Sequence, residues 1–246
     1  MRSKPVKRMR VFAGPNGSGK SAVYDLICRE YRIGRYINAD EIEQVLSEKG
    51  FLHLEDFGLQ ISRSNFEKYL SQTPFASKSM ESGLGINLRW SENVLVCSAS
   101  KSNSYEAAFI AEMLRLELLG QGVTFSFETV MSHPAKLDIF QRAYDEGYRS
   151  YLYFVCTQDP SINIERIRNR VSKGGHPVPE DKVESRYFRS LEILAPAAMA
   201  AYRSYLFDNS GEEARLIAEM TPEKKIVLHD ELIPNWVGSY FLEKFA

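Results

Sequence analysis

Residues 11–21 read Val-Phe-Ala-Gly-Pro-Asn-Gly-Ser-Gly-Lys-Ser, and from Gly14 onward they satisfy the pattern Gly-x-x-x-x-Gly-Lys-Ser/Thr. The glycines let consecutive backbone N–H groups point at an anion, while Lys20 reaches the β- and γ-phosphates and Ser21 offers its hydroxyl to Mg²⁺. The stretch follows an apolar run and precedes a helical segment, as phosphate binding requires. It predicts a nucleotide-phosphate loop formed by Gly14, Pro15, Asn16, Gly17, Ser18, Gly19, Lys20 and Ser21.

Composition limits the class of protein to which this loop belongs. The chain has 246 residues and a formal net charge of −1, with 44% hydrophobic and 26% charged residues. These values are typical of a globular protein rather than a disordered one, and the chain is long enough to bury a full core. A protein that binds a nucleic-acid backbone usually carries a basic surplus, so we expect no nucleic-acid partner.

Short apolar runs alternate with longer segments of helical period along the chain, which favours an α/β fold with a parallel sheet. Strands are predicted at 9–13, 35–38, 124–128, 150–156 and 205–208, with a sixth at an edge, 225–229. Helices are predicted at 21–31, 105–119, 134–146, 160–171, 179–194 and from 234 to the C-terminus. Together with the phosphate loop, this order predicts a P-loop NTPase three-layer sandwich with a mostly parallel sheet of five or six strands.

Several predicted helix ends carry specific signals. Asn103 and Glu106 stand at the spacing of a capping box, and Asp159 precedes Pro160 as an N-cap before a proline at the first helical position. Pro196 should end the helix before it, because proline cannot continue the hydrogen-bond ladder.

Residues 51–102 interrupt the alternation. They contain an amphipathic segment near 55–70, a polar run at 71–85 and an apolar piece at 93–99. We interpret them as a helical and β subdomain inserted into a single P-loop domain spanning 1–246. Long insertions often form lids or substrate-shaping elements, and structural elaboration explains this one equally well.

Targeting and metal signals are missing from the sequence. The basic stretch 1–10 lacks the apolar core of a signal peptide, and the longest apolar run, 151–156, is too short to span a bilayer. The cysteines, Cys28, Cys97 and Cys156, are odd in number and widely spaced, so they are expected to be core residues, and the histidines form no zinc pair. We expect a cytoplasmic protein that does not contact a membrane.

Other classes of P-loop protein do not fit. An ABC-type ATPase needs a signature segment and an apolar strand ending in Asp-Glu, whereas the nearest candidate, 205–209, ends in Asp-Asn. A GTPase needs an Asn-Lys-x-Asp reader of guanine, which the sequence lacks. Asp56-Phe57-Gly58 resembles a protein-kinase motif, but the sequence contains no His-Arg-Asp partner. The pattern that remains is that of a small-molecule kinase.

Two carboxylates follow predicted strands. Asp40 lies in the segment 37–41 after the second strand, and Glu128 ends the third. The carboxyl ends of parallel strands form the edge at which ligands bind in open α/β sheets. One carboxylate would accept the proton of an attacking hydroxyl, and the other would orient the substrate or a Mg²⁺-bound water. Alternatively, both residues only cap the helices that follow.

Arginines surround a glycine hinge later in the chain. Arg166 and Arg170 are four residues apart on one predicted helix, and Arg186 and Arg189 lie on the next. We interpret 166–189 as a mobile lid whose arginines stabilise the charge that develops on a transferred phosphoryl group. A solvated basic face paired with nearby acidic residues is the alternative.

The sequence at these positions resembles the zeta toxin family of P-loop kinases, including the zeta-toxin-like proteins described as predicted ABC-type ATPases. The matching segments are 14–21, 37–41, 127–129, 163–187, including His176, and 207–211. The chain departs from the family pattern Glu-Gly-Thr, because Thr129 follows Glu128 directly.

The resemblance implies an ATP- and Mg²⁺-dependent kinase that phosphorylates the sugar 3′-hydroxyl of UDP-N-acetylglucosamine. It implies that Asp40 is the general base and that Glu128, with Thr129, binds the sugar nucleotide. Arg170 and Arg186 would clamp ATP, with Arg166 as a substitute for either. An antitoxin protein would be the partner.

Two further hypotheses remain open from the sequence. The chain is an ATP-hydrolysing switch that acts on a macromolecule, or a nucleotide-binding regulator without catalysis. In the first case Asp40 is dispensable and hydrolysis depends on a partner.

Overall fold

The computed structural model describes residues 6–99, 102–175 and 177–246. The chain divides into two compact units, one formed by residues 1–33 and 126–246 and the other by residues 34–125. The strands, in chain order, are β1 (Arg8–Ala13), β2 (Arg35–Ile37), β3 (Phe51–His53), β4 (Leu88–Ser91), β5 (Val94–Cys97), β6 (Phe125–Thr129), β7 (Arg149–Cys156), β8 (Arg203–Asp208), β9 (Arg215–Met220) and β10 (Ile226–Leu228).

The α-helices are α1 (Lys20–Glu30), α2 (Ala39–Lys49), α3 (Arg63–Gln72), α4 (Pro74–Glu81), α5 (Ser104–Gly120), α6 (Asp138–Asp145), α7 (Pro160–Ser172), α8 (Glu180–Ala200) and α9 (Asn235–Tyr240). Short 3₁₀ helices cover Leu54–Phe57, Pro134–Leu137 and Leu242–Lys244.

The first unit is built on a sheet whose strands follow the order β10-β9-β8-β7-β1-β6. β1 pairs with β7, and β7 with β8, in parallel, while β9 and β10 add antiparallel pairs at one side. The predicted α/β fold with a mostly parallel sheet is confirmed. β10 lies at the end of the order, as predicted for the sixth strand, but β9 was not predicted, and its apolar run is only the three residues 216–218.

Helices cover both faces of this sheet. Successive side chains of a strand point to opposite faces, so neighbouring residues of one strand pack against different helices. On one face, Phe12 and Tyr153 pack with Val23 of α1. On the other face, Phe154 contacts Trp236 of α9, with ring centroids 6.1 Å apart. This helix–sheet–helix arrangement is the predicted three-layer sandwich.

The second unit contains α2 to α5 and a small antiparallel sheet of order β3-β5-β4. The capping box predicted for α5 is confirmed: the Asn103 side chain accepts from the N–H of Glu106, whose carboxylate accepts from the N–H of Asn103. The elements of region 51–102 lie in this unit, and the predicted polar run 71–85 contains helix α4, which begins at Pro74 after the N-cap Thr73. That this region is an insertion into one P-loop domain stays a prediction.

Two predicted helix ends are wrong. α8 continues through Pro196 to Ala200, since Leu194, Ala197 and Ala198 on its inner face are buried and the burial outweighs the missing hydrogen bond. The C-terminal helix ends at Tyr240, and only a short 3₁₀ helix follows. The helix predicted at 134–146 is also divided, into a 3₁₀ turn and α6.

Two of the three cysteines are core residues, as predicted. Cys97 and Cys156 are buried, and burial raises the pKa of the Cys156 thiol to about 12, so that thiol is neutral at physiological pH. Cys28 is half-buried. Within the described ranges, no helix combines the length and apolar character needed to cross a bilayer.

Candidate nucleotide site

The predicted phosphate loop joins β1 to α1, so the backbone N–H groups at the start of α1 face the loop. Gly19 is the N-cap of α1 and has φ +90°, and a Cβ there would lie 1.9 Å from Nδ2 of Asn209. Gly14 has φ +140°, and a Cβ there would lie 2.0 Å from the carbonyl oxygen of Val155. Only glycine fits these two positions, because both the backbone conformation and the space exclude a side chain.

Neighbouring elements of the first unit hold the loop in place. Asn163 on α7 donates to the carbonyl oxygen of Asn16 at 2.7 Å, and Asn209 after β8 donates to that of Ser18 at 2.8 Å. These two hydrogen bonds hold the backbone of the loop at Asn16 and at Ser18.

Lys20 lies against the loop that it is predicted to serve. Its Nζ donates to the carbonyl oxygens of Gly14 and Pro15, each at 3.1 Å. The ammonium group therefore lies close to the backbone of the loop, within reach of a β- or γ-phosphate if one binds there.

Ser21 and Glu128 were predicted separately, and the structure brings them together. The Ser21 hydroxyl donates to Oε1 of Glu128 at 3.0 Å. A hydroxyl and a carboxylate beside a phosphate loop are hard oxygen donors of the type that holds Mg²⁺ with substrate phosphates, so these residues fit the predicted ion. The described part of the chain has no cluster of three or more His, Cys, Asp or Glu side chains able to hold a metal.

Thr129 supports the loop rather than facing it with its side chain. Its carbonyl oxygen accepts from the N–H of Gly14 at 3.2 Å, and its hydroxyl oxygen accepts from the N–H of Met131 at 3.2 Å. Its predicted role in substrate binding stays a prediction.

The predicted arginines occupy different positions. Arg186 on α8 donates from Nη1 to Oδ1 of Asn16 at 3.3 Å, which places it at the loop. Arg166 donates from Nη2 to the carbonyl oxygen of Gly211 at 3.2 Å. Its Nη1 is buried and has no hydrogen-bond partner among the described residues.

Arg170 lines a shallow basic cavity of about 560 Å³. The cavity is formed by Arg166, Asn169, Arg170, Lys173, Gly174 and Gly175. Arg189 is exposed and donates to the carbonyl oxygen of Ser185 on its own helix, so the structure does not group it with the others. His176, between the arginines, lies outside the described residues.

Asp40 belongs to the second unit. It is in the first turn of α2, and its backbone N–H donates to Oδ1 of the N-cap Asn38 at 3.0 Å. The structure places Asp40 in α2, two residues beyond the end of the predicted strand 35–38. Its role as general base stays a prediction.

Two residues that shape the loop, Asn163 and Asn209, were not among the predicted site residues, whereas Ser18 was predicted as part of the loop. Asn163 is fully buried on α7, and the Ser18 hydroxyl is buried and makes no hydrogen bond to a described residue. A polar residue on the inner face of an amphipathic helix is the signal that would have marked Asn163.

A family model described as "Zeta toxin" matches residues 92–219, slightly more than half of the chain. The chain belongs to the zeta toxin family. The matched segment includes Glu128, Thr129, Arg166, Arg170 and Arg186. It begins within region 51–102, and it excludes the phosphate loop and Asp40.

Solved structures share the fold of this family member. The AvrRxo1-ORF1:AvrRxo1-ORF2 structure with sulphate ions superimposes with a TM-score of 0.58 at 14% identity, over 98% of this chain and 66% of that one. A structure of AvrRxo1-ORF1:-ORF2 with ATP gives a TM-score of 0.53 at 13% identity, over 98% and 65% of the two chains. At such identities the likeness shows the fold alone.

One curated relative also matches over a short stretch. An uncharacterized protein of Haemophilus influenzae is 31% identical over 67 residues, which are 27% of this chain and 48% of the relative. The chain therefore spans about half the length of that relative and about two thirds of the AvrRxo1 chain.

Proposed function

We propose that this protein is an ATP-dependent kinase of zeta-toxin type that transfers the γ-phosphoryl group of ATP to a hydroxyl of a small molecule. The observation that carries the proposal is the hydrogen bond between Ser21 and Glu128 beside a complete phosphate loop. This carboxylate gives the site an acidic group close to where the phosphates would bind. Nucleotide binding alone does not require such a group. The ATP-bound structure that shares the fold supports ATP as the nucleotide.

The loop would bind the triphosphate through its backbone N–H groups and through Lys20, whose present partners are two loop carbonyls. Ser21 and Glu128 would hold Mg²⁺, which neutralises charge on the β- and γ-phosphates when bound. Arg186 is positioned by Asn16, and Arg166 and Arg170 belong to the basic cavity. We assign these three arginines to the charge that develops on the γ-phosphoryl group.

Asp40 is the proposed general base. It would accept the proton of the acceptor hydroxyl as that oxygen forms a bond to the γ-phosphorus and the bond to the bridging oxygen of ADP breaks. Its place in the first turn of α2 and the family resemblance support this role. By the same resemblance we propose UDP-N-acetylglucosamine as the acceptor, bound through Glu128 and Thr129.

The test incubates the full chain with Mg²⁺, ATP and UDP-N-acetylglucosamine and follows ³¹P NMR and mass spectrometry. We expect a phosphorylated nucleotide sugar and one ADP per product. Asp40→Asn should lower kcat by about 10²–10⁴-fold while the Kd for ATP stays within about threefold, because only the proton acceptor is lost. Asp25→Asn, an exposed change on α1, is the matched control and should leave kcat unchanged.

Two other outcomes of this experiment would change the proposal. A different phosphorylated species from a mixture of metabolites would retain the kinase and replace the acceptor. Release of ADP without any phosphorylated product, at the same rate in Asp40→Asn, would contradict the kinase and favour an ATP-hydrolysing switch.

We also propose an antitoxin protein as the partner. Membership of the family supports this, and the AvrRxo1 structures that share the fold contain two chains. Expression of the full chain alone should arrest growth of the host, whereas Lys20→Ala should not. Equal growth with both forms would contradict a toxin.

A further inference from the structure

A buried asparagine connects the phosphate loop to the rest of the first unit. Asn163 of α7 is fully buried and donates its side-chain N–H to the carbonyl oxygen of Asn16 at 2.7 Å. The backbone of Asn163 also lies close to Gly17, the loop residue after Asn16, because a Cβ on Gly17 would lie 2.6 Å from the Asn163 carbonyl oxygen. Asn163 therefore contacts two successive residues of the loop, with its side chain and its backbone.

The orientation of Asn163 is set by Thr157, which is also fully buried. The Thr157 hydroxyl donates to Oδ1 of Asn163. An amide group accepts on one side and donates on the other, so this bond fixes the N–H side toward Asn16. An unsatisfied amide in this buried position would be costly, which makes the arrangement rigid.

Thr157 is in turn bound to helix α8. The hydroxyl of Tyr187, which is 2% exposed, donates to the carbonyl oxygen of Thr157 at 2.6 Å. The preceding residue, Arg186, donates directly to Oδ1 of Asn16. Helix α8 thus reaches Asn16 by two routes, one through Arg186 and one through Tyr187, Thr157 and Asn163.

We infer that Asn163, Thr157 and Tyr187 are positioning residues that couple the placement of helix α8 to the backbone conformation of the phosphate loop. When α8 occupies the position seen in the structure, Arg186 donates to Asn16 and the loop backbone has the conformation that would bind phosphates. None of the three residues needs to touch a reacting atom. The effect on catalysis rests on the proposed function, but the coupling itself is a property of the protein without a ligand.

The first test measures amide hydrogen exchange of residues 14–21 in the full chain without nucleotide. Asn163→Ala and Tyr187→Phe should each speed exchange about fivefold, since each removes one buried hydrogen bond from the chain of contacts. The double variant should exchange no faster than Asn163→Ala alone, because both changes interrupt the same route. Tyr148→Phe, which removes the hydroxyl of another buried tyrosine of this unit, should leave exchange at the loop unchanged.

Two results would overturn the coupling. One is exchange in Tyr187→Phe equal to that of the wild type, and the other is a double variant whose effect is the product of the two single effects. If Asn163→Ala does not fold, Asn163→Leu takes its place, because leucine is close to asparagine in size, carries no charge into this buried position and lacks the N–H that binds Asn16.

The second test uses turnover and separates this inference from the proposed function. With Mg²⁺, ATP and UDP-N-acetylglucosamine, Tyr187→Phe should lower kcat about fivefold and leave the KM for UDP-N-acetylglucosamine unchanged. A wild-type chain that neither binds nor consumes ATP would contradict the proposed function, while the exchange result would still decide the coupling. Normal turnover with unchanged exchange in Tyr187→Phe would contradict only the coupling.

Discussion

At the scale of single residues, the phosphate loop depends on positions where a side chain does not fit. Gly19 combines a left-handed backbone with a close contact to Asn209, which itself holds the carbonyl of Ser18. A substitution here strains the backbone and pushes away the residue that shapes the loop. Both effects act on the same few N–H groups that would bind phosphate.

Gly19→Ala should therefore lower the free energy of unfolding by about 1–3 kcal/mol and abolish nucleotide binding. Urea unfolding and calorimetric titration with ATP measure the two effects. Gly238→Ala is the matched control, because Gly238 lies in helix α9 with open space around its Cβ position and should gain about 0.5–1 kcal/mol. Unchanged ATP binding in Gly19→Ala would contradict the proposed role of the loop.

At the scale of elements, α7 and α8 carry the arginines, so their ends determine where those side chains lie. α7 begins as the sequence predicts: Asp159 accepts from the N–H of Ser161 at 2.8 Å, and Pro160 follows as the first helical residue. The side-chain and backbone hydrogen bonds to Ser161 hold the pKa of the Asp159 carboxyl below its usual range.

A carboxyl whose pKa is lower in the folded protein stabilises the fold above the unfolded value and loses this effect as the pH falls through the folded value. Asp159→Ala should therefore lower the melting temperature at pH 7, and its difference from the wild type should shrink as the pH falls below about 4. Asp159→Asn still caps the helix but does not titrate, so its advantage over Asp159→Ala should not depend on pH. Thermal unfolding between pH 7 and 3 tests this, and a constant wild-type difference would contradict it.

α8 retains a proline at the cost of one hydrogen bond. Pro196 is exposed, and replacing it by Ala restores an N–H that can donate to the carbonyl of Glu192. Pro196→Ala should raise the free energy of unfolding by about 1–2 kcal/mol, the helix gain being partly offset by a more flexible unfolded chain. Met199→Ala, also exposed on α8, should stay within about 0.5 kcal/mol of the wild type. Destabilisation by Pro196→Ala in urea unfolding would show that the proline sets the shape of α8.

At the scale of the whole molecule, the chain forms two compact units, and the phosphate loop, Glu128 and the arginines all belong to the first. A ligand that binds the folded protein stabilises it in proportion to the logarithm of its concentration. Mg·ATP at about 100 times its Kd should therefore stabilise the protein by about 2.7 kcal/mol.

This stabilisation should raise the melting temperature by a few degrees, and the shift should vanish in Lys20→Ala, because the cation over the loop is lost. Lys225→Ala, at an exposed position just before β10, should respond to ATP like the wild type. An equal shift in Lys20→Ala would place the nucleotide away from this loop.

Four features could be predicted from the sequence: the α/β class, the phosphate loop, the capping box of α5 and the N-cap of α7. These depend on local periodicity, on glycine conformations and on side chains that bond to neighbours a few residues away. Three features depend on the folded protein: α8 continues past Pro196, β9 extends the sheet, and the Ser21 hydroxyl donates to Glu128. Each of these results from burial or from contacts between residues far apart in the chain, and a local pattern does not record such contacts. The same holds for Asn163, whose side chain binds a residue 147 positions away.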